Sequence, residues 1–92
     1  MDDLLGFLAA LRRFPRGYSE GHYAERRWGV TVTASEDGKR QSLFAEELGG
    51  KDRVSFNLYQ LEGGEVLLRP CEMPQSKVVS FVLGFEPLLQ RG

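Results

Sequence analysis

D-R-V-S-F-N-L-Y-Q-L-E-G-G-E-V-L-L-R-P, from Asp52 to Pro70, decides how the rest of the chain is read. Val54, Phe56 and Leu58 alternate with Ser55, Asn57 and Tyr59, the period-two pattern of a strand with one buried face. Gly63-Gly64 supplies the positive φ angles of a tight turn, and Val66 and Leu68 share a face of the returning strand. Pro70 lacks an N–H and is expected to stop the ladder. The stretch is therefore a β-hairpin with an apolar face to cover. Its other face carries Arg53, Asn57 and Tyr59, open to water or a ligand.

The flanking segments extend this sheet. Arg26 to Ala34 reads as a strand with Trp28, Val30 and Val32 on one side. Asp37-Gly38 is a strong hairpin signal, and the return strand from residue 39 to 46 puts Leu43 and Ala45 on one face and Ser42 and Phe44 on the other. Gly49-Gly50 turns the chain into the central hairpin, so strands are expected near 26–34, 39–46, 52–61 and 65–69.

Two apolar stripes at i, i+3, i+4, i+7 predict the covering helices. Leu4, Phe7, Leu8 and Leu11 mark a helix over 3–13, with Asp2 or Asp3 capping its start and Pro15 ending it. Val78, Phe81, Val82 and Phe85 mark a second over 75–86, with Pro74 suited to its first turn. Residues 14–25 read as a connector. Ser19-Glu20-Gly21 is its turn, and the Tyr18/Tyr23 pair is a candidate start of a short edge strand. The expected fold is α+β, in the order α-β-β-β-β-α: a four-stranded antiparallel meander with both helices on one face. Its core comprises Leu4, Phe7, Leu8, Leu11, Val54, Phe56, Leu58, Val78, Val82 and Phe85.

Ninety-two residues suit a single domain spanning 1–92, and 41% hydrophobic content argues against disorder. Twelve Lys+Arg against 13 Asp+Glu leave a net charge of −1, which argues against a strongly electrostatic nucleic-acid binder but allows a local basic patch. The single cysteine, Cys71, excludes an internal disulfide and suits a reducing compartment. No basic leader and no apolar run of bilayer length is present, so a cytoplasmic protein without membrane contact is expected.

Catalytic signals are weak. His22, the one histidine, sits between glycines and reads as solvated. Cys71 has neither a resolving cysteine nor a catalytic partner. Glu46, Glu47 and Asp52 flank a turn without calcium-loop spacing, and no Walker loop, nucleophile elbow or zinc spacing occurs. A non-enzymatic protein without metal or cofactor is expected. Lys39 and Lys51, and more strongly Arg26, Arg27, Arg40 and Arg53, lie on or beside the strands among Tyr23, Trp28, Phe44 and Tyr59. Basic groups that track phosphates and aromatic faces that stack on bases together hold single strands. The candidate nucleic-acid-binding residues are Arg26, Arg27, Trp28, Arg40, Arg53 and Tyr59, with single-stranded DNA or RNA as partner. The alternative is a protein-interaction module without nucleic-acid binding. The second helix has more apolar residues than one stripe needs, through Leu88 and Leu89, which suggests a homodimer formed through it.

The order of elements, with D-R-V-S-F-N-L-Y, then L-L-R-P, then an apolar helix, resembles the single-stranded-DNA-binding transcriptional coactivators of the positive-cofactor and Whirly type. The resemblance spans about residues 26–89 and implies a four-stranded antiparallel sheet followed by a helix. It further implies oligomers formed through the helices and single-stranded nucleic acid bound on the sheets, with Arg53 and Tyr59 the positions that correspond. Where those coactivators place a lysine-glycine segment before the helix, this chain has Cys71-Glu72-Met73. The phrases Y-S-E-G, A-E-E-L-G-G and R-P-C-E-M-P also resemble small bacterial proteins, a likeness that implies no established activity.

Overall fold

The computed structural model describes residues 4–88. Helix α1 (Leu4–Arg12) leads into strands β1 (Gly17–Tyr23), β2 (Arg26–Ala34), β3 (Arg40–Glu47), β4 (Arg53–Gln60) and β5 (Val66–Pro70). Helix α2 (Gln75–Gly84) and a two-residue strand β6 (Glu86–Pro87) complete the order. All pairings are antiparallel, and the sheet runs β5-β4-β3-β2-β1-β6. The α+β class and the antiparallel sheet agree with the sequence; among the described residues the strand number is six rather than four.

Both additional strands have physical causes. Ser19-Glu20-Gly21 is not a turn but the middle of β1, where Ser19 pairs with Val30 and Gly21 with Trp28. The turn lies beyond it, at Ala24 and Glu25, whose φ angles of 53° and 65° give the two-residue loop a twist that matches the right-handed twist of the flanking strands. Strand β6 fits because Gly21 has no side chain: a Cβ there would lie 2.4 Å from the Glu86 carbonyl oxygen and 2.4 Å from the Phe85 ring. His22 therefore sits on a strand, exposed, opposite Arg27 and Glu86.

The other turns follow the sequence. Gly38, Gly49, Gly63 and Gly64 all adopt positive φ. At the first of these turns the Asp37 carboxylate accepts bonds from the Ser35 hydroxyl (2.6 Å) and the Lys39 N–H (3.0 Å). Pro70 does not end the ladder. It pairs with Phe56, and the next bond to β4 comes from the Cys71 N–H to the Ser55 carbonyl at 3.0 Å. In an antiparallel ladder alternate residues face opposite edges, so the Pro70 nitrogen faces outward, where nothing needs it.

One face of the sheet carries the core. Trp28, Val30, Val32, Leu43, Ala45, Val54, Phe56 and Leu58 are buried there beneath Phe7, Ala10 and Leu11 of α1 and Val78, Phe81 and Val82 of α2. Phe14 and Phe85, just past the two helices, are also buried and stack with ring centroids 4.9 Å apart. Of the expected core, Leu4 and Leu8 are half-buried and the other residues fully buried. The expected caps Asp2 and Asp3, and Leu89, lie outside the described residues. The surplus apolar residues of α2 are covered within the chain: Val79 packs on the core, and Leu83 alone is left substantially exposed on the helix. The helix thus presents no second apolar stripe.

Candidate nucleic-acid interface

Strand register fixes which side chains share the face opposite the helices. Arg27, Thr31 and Thr33 of β2 lie there, with Arg40, Ser42, Phe44 and Glu46 of β3 and Arg53, Ser55, Asn57 and Tyr59 of β4. Among the described residues no helix covers this face. The pairings place Tyr18, Thr31, Phe44 and Ser55 in one row across four strands, and Thr33, Ser42, Asn57 and Arg69 in the next. Arg40, Tyr59 and Leu67 form a third.

The centre is shallow, with hydroxyl and amide side chains around a largely apolar floor. A depression of about 290 Å³ is lined by Thr31, Ser42, Phe44, Ser55, Asn57 and Cys71, among others. The Ser42 hydroxyl donates to the Asn57 side-chain oxygen at 2.5 Å, tying β3 to β4 across it. Two aromatic rings stand out of this surface: Phe44 is 44% exposed and Tyr18 59%. With strands about 4.8 Å apart, they are separated by roughly 10 Å along their row. Tyr18 is placed by Gly29, above which its ring lies; a Cβ on Gly29 would meet the Tyr18 hydroxyl oxygen at 2.5 Å. Its O–H donates to Glu20 at 3.0 Å, and that bond holds the phenol above its usual pKa, so it stays a neutral donor.

Charge surrounds the depression. Arg27 is engaged by Glu20 at 3.0 Å. Arg40, Arg53 and Arg69 make no ion pair among the described residues and stand on the open face with guanidinium donors unspent. Glu46 and Glu86 belong to the same face, so it is mixed in charge rather than uniformly basic.

The six residues selected by sequence do not all meet. Arg27, Arg40, Arg53 and Tyr59 share the open face. Trp28 does not: it is 2% exposed and packs on Phe81 at 5.0 Å, with its indole N–H donating to the Tyr23 carbonyl at 3.3 Å. Arg26 shares the Trp28 side of β2 and is held by Glu47 at 2.6 Å. Both are corrected to the helix-covered face, where alternation from Val30 and Val32 puts them. Phe44 and Tyr18 supply the exposed rings that Trp28 does not. The signal for Phe44 was its position between Leu43 and Ala45, both inward.

Two of the three acidic residues near the Gly49 turn are paired, Glu47 with Arg26 and Asp52 with Lys77 at 2.6 Å, and Glu46 lies on the open face. Among the described residues no three His, Cys, Asp or Glu side chains converge as a metal site, and no helix is long and apolar enough to cross a membrane. No protein-family model, curated protein or solved structure matches the chain.

Proposed function

We propose that the protein is a non-enzymatic module that binds single-stranded nucleic acid on the open face of its sheet. The observation that carries this reading is an uncovered antiparallel face that combines exposed rings, Phe44 and Tyr18, with unpaired arginines, Arg40 and Arg53. Rings offer every base a stacking surface, guanidiniums meet phosphates, and Thr31, Ser42, Ser55 and Asn57 offer hydrogen bonds to base edges or sugars. Tyr59, half-buried beside Arg40, extends the track toward β5.

Fluorescence anisotropy with labelled single-stranded DNA and RNA, at low and at physiological salt, tests the reading. Binding should weaken steeply with salt, because each phosphate contact releases counterions. Phe44→Ala should weaken it by roughly 1–3 kcal/mol if a base stacks there. Arg26→Ala, on the other face, should leave it unchanged. Absence of binding at low salt would refute the reading. The interspersed carboxylates Glu20, Glu46 and Glu86 favour a second one, a protein partner anchored on the same aromatics. Such a complex would depend on Phe44 yet respond little to salt.

A further inference from the structure

Strand β5 ends the sheet, and its outer edge has backbone groups without partners. The Leu61 N–H bonds the Glu65 carbonyl at 2.7 Å and the Cys71 N–H bonds the Ser55 carbonyl at 3.0 Å. Bonded pairs alternate in an antiparallel ladder, so residues 65, 67, 69 and 71 face β4. Val66 and Leu68 therefore direct their N–H and C=O groups outward. Pro70 also faces outward but has no N–H, and the Gly63-Gly64 turn bounds the other end. Among the described residues, two free donors and their carbonyls are thus confined between two stops.

We propose that this edge pairs antiparallel with β5 of a second copy of the chain, Val66 opposite Leu68 of the partner subunit. Each Val66–Leu68 pair then exchanges two N–H···O bonds, and the two-fold axis generates the second pair, so four bonds satisfy every free donor on both edges. Shifting by one bonded pair would set Leu68 opposite Leu68 and Val66 opposite Pro70, where the absent N–H leaves a carbonyl unmet. Shifting the other way would set Val66 opposite Val66 and Leu68 opposite Gly64 in the turn, so the unshifted register is the one in which Val66 and Leu68 both exchange bonds with residues of the strand.

Charge selects the same register. It brings Glu65 opposite Arg69 of the partner subunit, twice, at non-bonded positions where side chains approach most closely. Neither Glu65 nor Arg69 makes an ion pair among the described residues. Leu67 meets its own copy on the open face. Val66 and Leu68, half-buried beside an open groove of about 240 Å³ that Leu4 and Gln75 also line, gain cover on the helix side. The axis is normal to the sheet, so the open faces of the two copies join into one continuous surface of twelve strands. This assembly is independent of what that surface binds, and it uses β5 instead of α2.

Sedimentation equilibrium over a wide concentration range tests the assembly. The chain should shift from one to two copies as concentration rises. Arg69→Glu and Glu65→Arg should each weaken the dimer by roughly tenfold, because each turns two attractions into two repulsions. The double variant, with the charges exchanged, should recover it. Far-UV circular dichroism confirms that each variant is folded, and all these side chains are exposed or at the edge. Amide exchange at Val66 and Leu68 should slow as concentration rises. A monomer at every concentration overturns the proposal. So does a dimer indifferent to both single reversals, or a double variant no better than the single ones.

Discussion

Phe81 on α2 and Phe44 on β3 are the same residue type on opposite sides of one sheet, and truncating each measures how the fold divides its work. Phe81 is fully buried, with its ring centroid 5.0 Å from those of Tyr23 and Trp28 and 5.3 Å from that of Phe85. Phe81→Ala removes the ring from the middle of this cluster, where both helix ends and β1 hold their neighbours in place and collapse is limited. The expected cost is about 3–5 kcal/mol. For 92 residues at about 0.05–0.15 kcal/mol each, that is a large share of a total near 5–14 kcal/mol. Phe44 is 44% exposed. Full burial of such a side chain is worth about 1.5–3 kcal/mol, so Phe44→Ala forfeits roughly half of that, near 1 kcal/mol. Urea titration reads both. With a slope of about 1–3 kcal/mol per molar, Phe81→Ala should lower the midpoint by about 2 M and Phe44→Ala by about 0.5 M. The single tryptophan, Trp28, reports unfolding by fluorescence, and circular dichroism checks that the Phe81 change has not altered the probe alone. Equal costs, or a Phe81→Ala cost below about 1 kcal/mol, would refute the assignment of faces.

Gly21→Ala forces a methyl against the Glu86 carbonyl and the Phe85 ring, and should cost about 1–3 kcal/mol. Faster amide exchange at Leu88, whose N–H bonds the Glu20 carbonyl at 3.0 Å, would show that β6 detaches. Replacing Ala24-Glu25 with Asn-Gly relieves two left-handed residues, and should raise stability by about 1 kcal/mol in the same titration. The Asp52 carboxylate is held below the usual aspartate range, chiefly by the bond from Lys77, which outweighs the opposing effect of burial and is helped by a lesser bond from the Arg53 N–H. A depressed pKa adds stability that is present above the unfolded-state value and lost as pH falls through the folded-state one. Because Asp52 is about half exposed, Asp52→Asn should flatten the acid limb of a stability–pH curve by under about 1 kcal/mol, less in high salt. Arg40→Ala and Arg53→Ala should each reduce the slope of log affinity against log salt for single strands by roughly 0.7.

How much of this was legible in the sequence depends on how each turn is made. Asp37-Gly38, Gly49-Gly50 and Gly63-Gly64 announce themselves, because glycine takes positive φ without strain, and the three strand-to-strand connections they form were readable. The β1–β2 connection was not, since Ala24 and Glu25 carry no turn signature and adopt positive φ at a cost that the seven paired residues of β1 offset. With that turn hidden, S-E-G inside β1 looked like the turn instead. Ser19 and Gly21 are inward-facing positions filled by small residues, so the apolar alternation that marks a strand is missing there. Strand β6 is two residues long and exists through contact with Gly21, a tertiary fact with no local signal.

The site was legible in parity and illegible in residue type. Selecting arginines and aromatics near the strands gathered Arg26 and Trp28 with Arg27, Arg40, Arg53 and Tyr59, although adjacent residues of one strand cannot share a face. Alternation from Val30 and Val32 already sends Trp28 and Arg26 inward and Arg27 outward. Applied to β3, the same rule sends Phe44 out between Leu43 and Ala45. Burial confirms the assignments of Trp28 and Phe44, while Arg26 keeps the inward parity at the exposed end of its strand. Nothing in the fold requires Phe44 where Thr31 and Ser55, its partners in the row, are small and polar. Phe44 does not stand alone on this face, since the exposed ring of Tyr18 shares its row. That contrast gives the open face, and not the acidic turn, His22 or Cys71, the strongest claim to function in this chain.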